Sequence, residues 1–200
     1  MGRFARTCSI SAMAALAACA SAPTHYYTLL PPATDSTAPS ASIVDLATVA
    51  VPAEDDQAAW VVRVGPGELA VLDSERWAAP LGDELRAAFA DALGRELGTD
   101  VHISTNHEPR YRVGIEVRRF ESVPGQYALV EADWTIGPRN ATTRLACSSR
   151  VSENVEPGYP ALAVGHQRAV AVIAAQIAAA VRSMQAGAPA CPAKPQGAPG

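Results

Sequence analysis

The sequence predicts an α/β domain in which two main helices pack on a mixed, largely antiparallel sheet. Three observations carry that prediction. Apolar residues recur at steps of three and four in two stretches, 81–97 and 160–185, as one face of a helix requires. Between them lie three runs that alternate apolar and polar, separated by Pro124-Gly125 and by Gly137-Pro138-Arg139-Asn140. Such runs mark an antiparallel meander with one wet face. The 200 residues are 48% apolar and 18% charged, enough for one buried core, which excludes a chain disordered throughout. No run of 18 apolar residues occurs, which argues against a polytopic membrane protein. A net charge of −4 argues against a nucleic-acid binder, because a phosphate backbone needs a clustered positive surface.

The chain opens with a secretory address. Arg3 and Arg6 give a positive start, and Cys8 to Ala18 are small and apolar. That stretch is too short to span a bilayer but fits a signal-peptide core. It ends in Leu16-Ala17-Ala18-Cys19, a small-residue site followed directly by cysteine, as in bacterial lipoproteins. In that reading the Cys19 thiol accepts a diacylglyceryl group, cleavage precedes it, and the new amine is acylated. An ordinary signal peptide that happens to abut a cysteine is the alternative. Position 20 is Ala and not Asp, which points to the outer membrane of a Gram-negative envelope, facing the periplasm. Cleavage also removes Arg3 and Arg6, taking the net charge from −4 to −6. The expected organisation is a signal peptide over 1–18, a lipid anchor and flexible linker over 19–42, the α/β domain over 43–185, and a disordered tail over 186–200.

The elements follow in order. The linker is rich in Ala, Ser, Thr and Pro, but Tyr26-Tyr27-Thr28-Leu29-Leu30 has strand propensity and could clamp onto the domain. Ile43–Val51, Trp60–Val64 and Leu69–Leu72 read as strands, the last two joined by a hairpin turn at Gly65-Pro66-Gly67. In the first helix Leu81, Leu85, Ala88, Phe89, Ala92, Leu93 and Leu97 form the apolar side, with Asp83, Glu84, Arg86, Asp91 and Arg95 mainly opposite. Pro80 suits its first turn and Gly98 its C-cap. Trp77 covers its start as an apolar clamp, inside the helix or just before it. Val101–Ser104 reads as a strand, followed by Tyr111–Arg118, Tyr127–Ile136 and Thr143–Val151. On the second of these, Ala128, Val130, Ala132, Trp134 and Ile136 share the apolar face, while Glu131 and Asp133 face away. On the third, Leu145, Cys147 and Val151 share one face. The last helix carries a stripe of Leu162, His166, Val170, Ile173, Ile177, Val181 and Met184, expected to pack on the sheet, with an oligomer-forming helix as the alternative.

Little in the chain points to catalysis. Cys147 and Cys191 are left once Cys8 and Cys19 are accounted for, and an oxidising periplasm favours a disulfide between them. A buried free Cys147 with an exposed Cys191 is the alternative. His102, His107 and Glu108 have no metal-ligand spacing. Ser148-Ser149 lacks a nucleophile elbow, and Glu131 with Asp133 reads as a solvated strand edge and not a glycosidase pair. His166 reads as a satisfied interfacial histidine. Gly65-x-Gly67 lacks the third glycine, lysine and helix of a phosphate loop. No cofactor and no metal is expected.

Several stretches together resemble one family. They are the lipobox cysteine, Tyr26-Tyr27-Thr28-Leu29, the strand end Val49-Ala50-Val51-Pro52, Arg76-Trp77-Ala78-Ala79-Pro80-Leu81 at the helix start, Arg118-Arg119-Phe120-Glu121, and Glu131-Ala132-Asp133-Trp134. In that order they resemble the ABC-type transport auxiliary lipoproteins, the PqiC family, over about residues 19–185. Relatives often carry a Leu-Pro-aromatic and Arg-Pro-Gln-Ile run, where this chain has Val51-Pro52 and an acidic stretch. The resemblance implies a fold similar to the N-terminal domain of TolB. It also implies a non-catalytic role beside an MCE-domain protein moving phospholipid between membranes, and ring-like self-association. A lipoprotein with its own lipid or small-ligand pocket, and a structural lipoprotein of an envelope or secretion machine, are the other readings. Partner-contact candidates are Tyr26, Tyr27 and an exposed Trp60. Arg76, Trp77, Pro80 and Trp134 are assigned structural roles, with Trp77 and Trp134 packed in the core.

Overall fold

A computed structural model describes residues 23–33, 44–53, 55–99, 101, 110–140 and 143–192. The strands are β1 (His25–Tyr27), β2 (Val44–Ala50), β3 (Ala59–Gly65), β4 (Glu68–Trp77), β5 (Tyr111–Val123), β6 (Tyr127–Pro138) and β7 (Leu145–Asn154). The helices are α1 (Leu81–Leu97), before β5, and α2 (Tyr159–Gln185), at the end. The expected strand at Val101–Ser104 lies outside the described residues apart from Val101.

Two sheets share one core. The larger has the order β2-β5-β6-β7, with β2 parallel to β5 and the rest antiparallel. The smaller has the order β1-β4-β3, with β1 parallel and β3 antiparallel to β4. The expectation of one sheet is corrected to two. An irregularity at Val117/Arg119 is the pivot in β5: odd residues point to the core up to Val117, and Phe120 and Ser122 do so beyond it. One extra residue in a strand shifts its alternation by one. The period-two pattern therefore stops at Arg118 in sequence although the strand runs on to Val123.

Both helices lie over the larger sheet. α2 packs on β5, β6 and β7, α1 on β2, and the helices touch each other. α2 is long and apolar enough to cross a membrane by composition, but its stripe from Leu162 to Val181 is buried inside the domain. Gly165 lets it come close: a Cβ there would stand 2.4 Å from Val155 Cγ1 and 2.9 Å from Ala128 Cβ. α1 begins right after Pro80, with the Gly82 N–H donating to Asp56 Oδ1 at 3.0 Å, and ends at Gly98 with φ 64°. Trp77 is the last residue of β4, not part of the helix, and is buried with Trp60, Trp134 and Phe89.

Candidate functional site

Tyr-Tyr-Thr-Leu is built into the fold. β1 pairs with the end of β4, His25 beside Glu75 and Tyr27 beside Trp77, and the Ala78 N–H donates to the Tyr27 carbonyl at 2.8 Å. The expectation of a flexible linker over 19–42 is therefore corrected for this segment, which is a strap fastened to the body. Strand propensity aligns it, and side chains from three elements hold it.

From β4, the buried Glu75 carboxylate accepts the Tyr27 hydroxyl at 2.6 Å and pairs with His25 Nδ1 at 2.9 Å. Burial alone would raise the Glu75 carboxyl, but the bonds from His25 and Tyr27 outweigh it and hold it below the usual range. Burial first, and then the bond to Glu75, push the Tyr27 hydroxyl up to about 12. From α1, Glu84 Oε2 accepts both the Thr28 hydroxyl and the Leu29 N–H, each at 2.8 Å. From α2, Gln167 Nε2 donates to the Thr28 carbonyl at 3.0 Å. The Leu29 side chain is buried in the core.

Beneath the strap is an aromatic cluster. Tyr27 meets Trp60 edge-on at 5.1 Å, Trp60 lies 4.2 Å from Trp77, and Phe120 stacks on His166 at 3.9 Å. Trp60 Nε1 donates to Ser122 Oγ at 2.9 Å, and Ser122 Oγ is 2.8 Å from His166 Nε2. The expectation of an exposed Trp60 is corrected: it is fully buried. Trp60 and Val62 take the inward positions of β3, and Val61 and Arg63 the outward ones. His166 is satisfied at Nε2 only, its Nδ1 having no partner, and burial depresses its pKa to about 3. It is a neutral core residue.

A third buried carboxylate, Glu121, joins the two sheets. It accepts from Arg63 Nε at 2.8 Å, Arg119 Nη2 at 2.8 Å and the Tyr127 hydroxyl at 2.6 Å. Burial opposes ionisation there, but these donors outweigh it and lower the pKa.

Cys147 and Cys191 form a disulfide, with Cα atoms 5.7 Å apart, which ties the chain after α2 to β7. Cys191 and Pro192 border an open groove of about 1070 Å³ on the sheet side away from the helices, with Thr48, Glu116, Arg118 and Asp133 among its lining. Glu131 pairs with Arg150 and Asp133 with Arg118. Among the described residues no three His, Cys, Asp or Glu side chains gather as a metal site would need. Cys19, Leu16, Ala17, Ala18, His102, His107 and Glu108 lie outside the described residues. Of the remaining candidates, Tyr26 is exposed, Tyr27 is half-buried in the clasp, and Arg76 and Pro80 flank the join from β4 to α1.

Glu75, Glu84, Gln167 and Glu121 were not singled out from sequence as functional residues. Glu84 had a readable signal. It falls three residues after Leu81 and four before Ala88, on the apolar side of α1, and is buried there, correcting its expected place on the polar side. An acid on a buried stripe announces a partner.

These features define a single α/β domain with two helices over two sheets and its N-terminal segment clasped into the body. A crystal structure of an uncharacterized protein has the same fold, with a TM-score of 0.67, 17% identity, and coverage of 80% of this chain and 99% of that one. A crystal structure of a DUF330 protein from Xanthomonas campestris matches with a TM-score of 0.65, 21% identity, and coverage of 82% and 99%. None of the curated proteins compared matches the sequence. The chain belongs to the ABC-type transport auxiliary lipoprotein component family, whose model matches residues 27–178. It is thus an envelope lipoprotein, membrane-anchored, that serves an ABC-type transport system with other components. The match begins at Tyr27, the first side chain of the clasp that reaches Glu75 with a hydroxyl.

Proposed function

We propose that this chain is a non-catalytic docking component, acylated at Cys19 on the periplasmic side of the outer membrane. Its partner is an MCE-domain protein of a phospholipid transport system. The observation that supports the reading is the clasp. A docking component must transmit the position of its anchor to its body, and here the segment just after the anchor is held by Glu75, Glu84 and Gln167. Tethering raises the local concentration of a weak contact surface, so modest contacts suffice. Self-association into a ring belongs to the same reading. A lipid-binding lipoprotein would need a dry apolar cavity, whereas the groove on the larger sheet is open and carries Glu116, Arg118 and Asp133. The test is affinity recovery of the acylated protein from envelope extract. An MCE-domain protein should come with it, and its absence would overturn the proposal.

A further inference from the structure

Seven large apolar side chains of the described residues are exposed, and five of them lie on the strap or the β3–β4 hairpin: Tyr26, Leu30, Val64, Leu69 and Val71. The other two, Val164 and Val172, lie on α2. Of the hairpin residues, Leu69 and Val71 share a side of the smaller sheet. Val71 stands opposite Val61, whose neighbours Trp60 and Val62 point into the core, so Val61 and Val71 point out. Leu69, two residues before Val71, points the same way. Tyr26 stands beside Arg76, which is opposite Ala59, and so joins that outer face. Tyr26 is 66% exposed, Leu69 57%, Val71 56% and Val64 55%.

The direction of the strap says what covers this face. β1 is parallel to β4, so the chain reaches His25 from the side on which the β3–β4 turn lies. Cys19 is six residues before His25, a reach of about 20 Å. Across β3, Arg76 stands opposite Ala59 and Leu69 opposite Arg63, so Leu69 lies about 13 Å, four β3 residues, from the level of the strap and within that reach. A lipid on Cys19 therefore has the hairpin within its reach, on the side from which the strap arrives. We infer that the outer face of the β3–β4 hairpin, with Leu69, Val71 and Tyr26, rests in the lipid surface as a second membrane contact. This rests on the reading that Cys19 is the anchor.

The chemistry fits a lipid interface driven by apolar burial and not by charge. Tyr26 offers an apolar ring and a polar tip, as suits the headgroup boundary. The nearby charges are of both signs, Glu68, Asp73 and Arg76, while Arg63 is engaged by Glu121, so no basic cluster draws anionic lipid. Aliphatic side chains on a short hairpin reach the acyl boundary about 5–10 Å deep. The contact sets the orientation of the body on the membrane, which the acyl chains alone leave free.

The test uses the processed chain beginning at Cys19. Its Cys19 thiol is the one left free by the Cys147–Cys191 disulfide, and is coupled to maleimide-lipid vesicles of phosphatidylethanolamine and phosphatidylglycerol. Coupling supplies the tether whether or not the cell acylates Cys19. Acylation is judged separately, by the mass of the natural amino terminus. Leu69→Trp and Val71→Trp are the reporters, and Val172→Trp on α2, 37% exposed in the parent, is the control. With bromine on the acyl chains, the emission that each reporter adds to that of the native Trp60, Trp77 and Trp134 should fall by about half, the control's added emission and the parent's by less than about a tenth, and added salt should change neither. Quenching of the reporters no greater than that of the control overturns the inference. Unquenched reporters together with self-association that Leu69→Asp abolishes would overturn it too, by assigning the face to a second copy.

Discussion

Glu84→Ala tests the clasp most directly. One oxygen of Glu84 accepts both the Thr28 hydroxyl and the Leu29 N–H, each at 2.8 Å. A hydrogen bond to a charged group contributes about 1.5–3 kcal/mol, and a buried donor left unpaired costs the full desolvation penalty. Together the two bonds stabilise the strap by about 3–5 kcal/mol. Because β1 is only three residues at a sheet edge, the loss falls on docking of the strap before it reaches the whole fold. At about 1.4 kcal/mol per factor of ten, amide exchange at Leu29 should accelerate by roughly two to four orders of magnitude. Hydrogen exchange read by mass spectrometry over residues 23–33 measures this, with β6 peptides as the reference for global opening. Glu84→Gln, which keeps an acceptor oxygen, should cost about 1–2 kcal/mol. Unchanged exchange in 23–33 for the Ala variant would refute the clasp. Equal acceleration in β6 would show that Glu84 serves the fold as a whole and not the strap.

Three other outcomes follow from the packing. Unfolded His166 takes a proton near 6.5 and the folded residue only near 3, so between those values the unfolded state binds more protons and stability falls as pH falls. That slope, about 5 kcal/mol in full, should vanish from urea midpoints in His166→Phe, and an unaltered slope would contradict the assignment. Gly165→Ala should destabilise by about 1–3 kcal/mol in urea titration despite better helix propensity, because the new methyl meets Val155 and Ala128; a gain in stability would show that α2 shifts freely. Cys191→Ser should lower stability by about 4 kcal/mol in the chain-entropy treatment of a 44-residue separation, and non-reducing peptide maps of the parent that show two free thiols would end that expectation.

The sequence was most legible where one period governs a whole element. α1 and the α2 stripe, β6 with its inward Ala128, Val130, Ala132, Trp134 and Ile136, and the Cys147–Cys191 pairing all appear as read. It was least legible where the period breaks or a polar group is buried. β5 continues past Arg118 because an extra residue changes its parity, and β4 continues past Leu72 through an irregular stretch to Trp77. Trp60 misled because an isolated aromatic on a short strand does not reveal its face; that depends on Tyr27, Trp77 and Ser122, far away in sequence. Glu75, Glu84 and Glu121 are ordinary surface acids by composition. Only their long-range donors, Tyr27, Leu29 and Arg63, make burial tolerable.

The strap changes the mechanical argument for a tethered domain. A free linker over 19–42 would let the body wander about 25 Å as a coil and further when stretched. With β1 in place, the spacer from Cys19 to His25 is six residues, so an anchor at Cys19, as proposed, would keep the body within about 20 Å. Force at the amino terminus enters β4 through Glu75, α1 through Glu84 and α2 through Gln167, so it is shared by the smaller sheet and both helices. A component whose task is to hold a partner at a set height below a membrane is served by a short link. A protein that diffused with its cargo would be better served by the long one. Glu75 and Glu84 therefore favour the docking reading on mechanical grounds, because both stabilise a segment that a free-standing ligand-binding domain could leave loose.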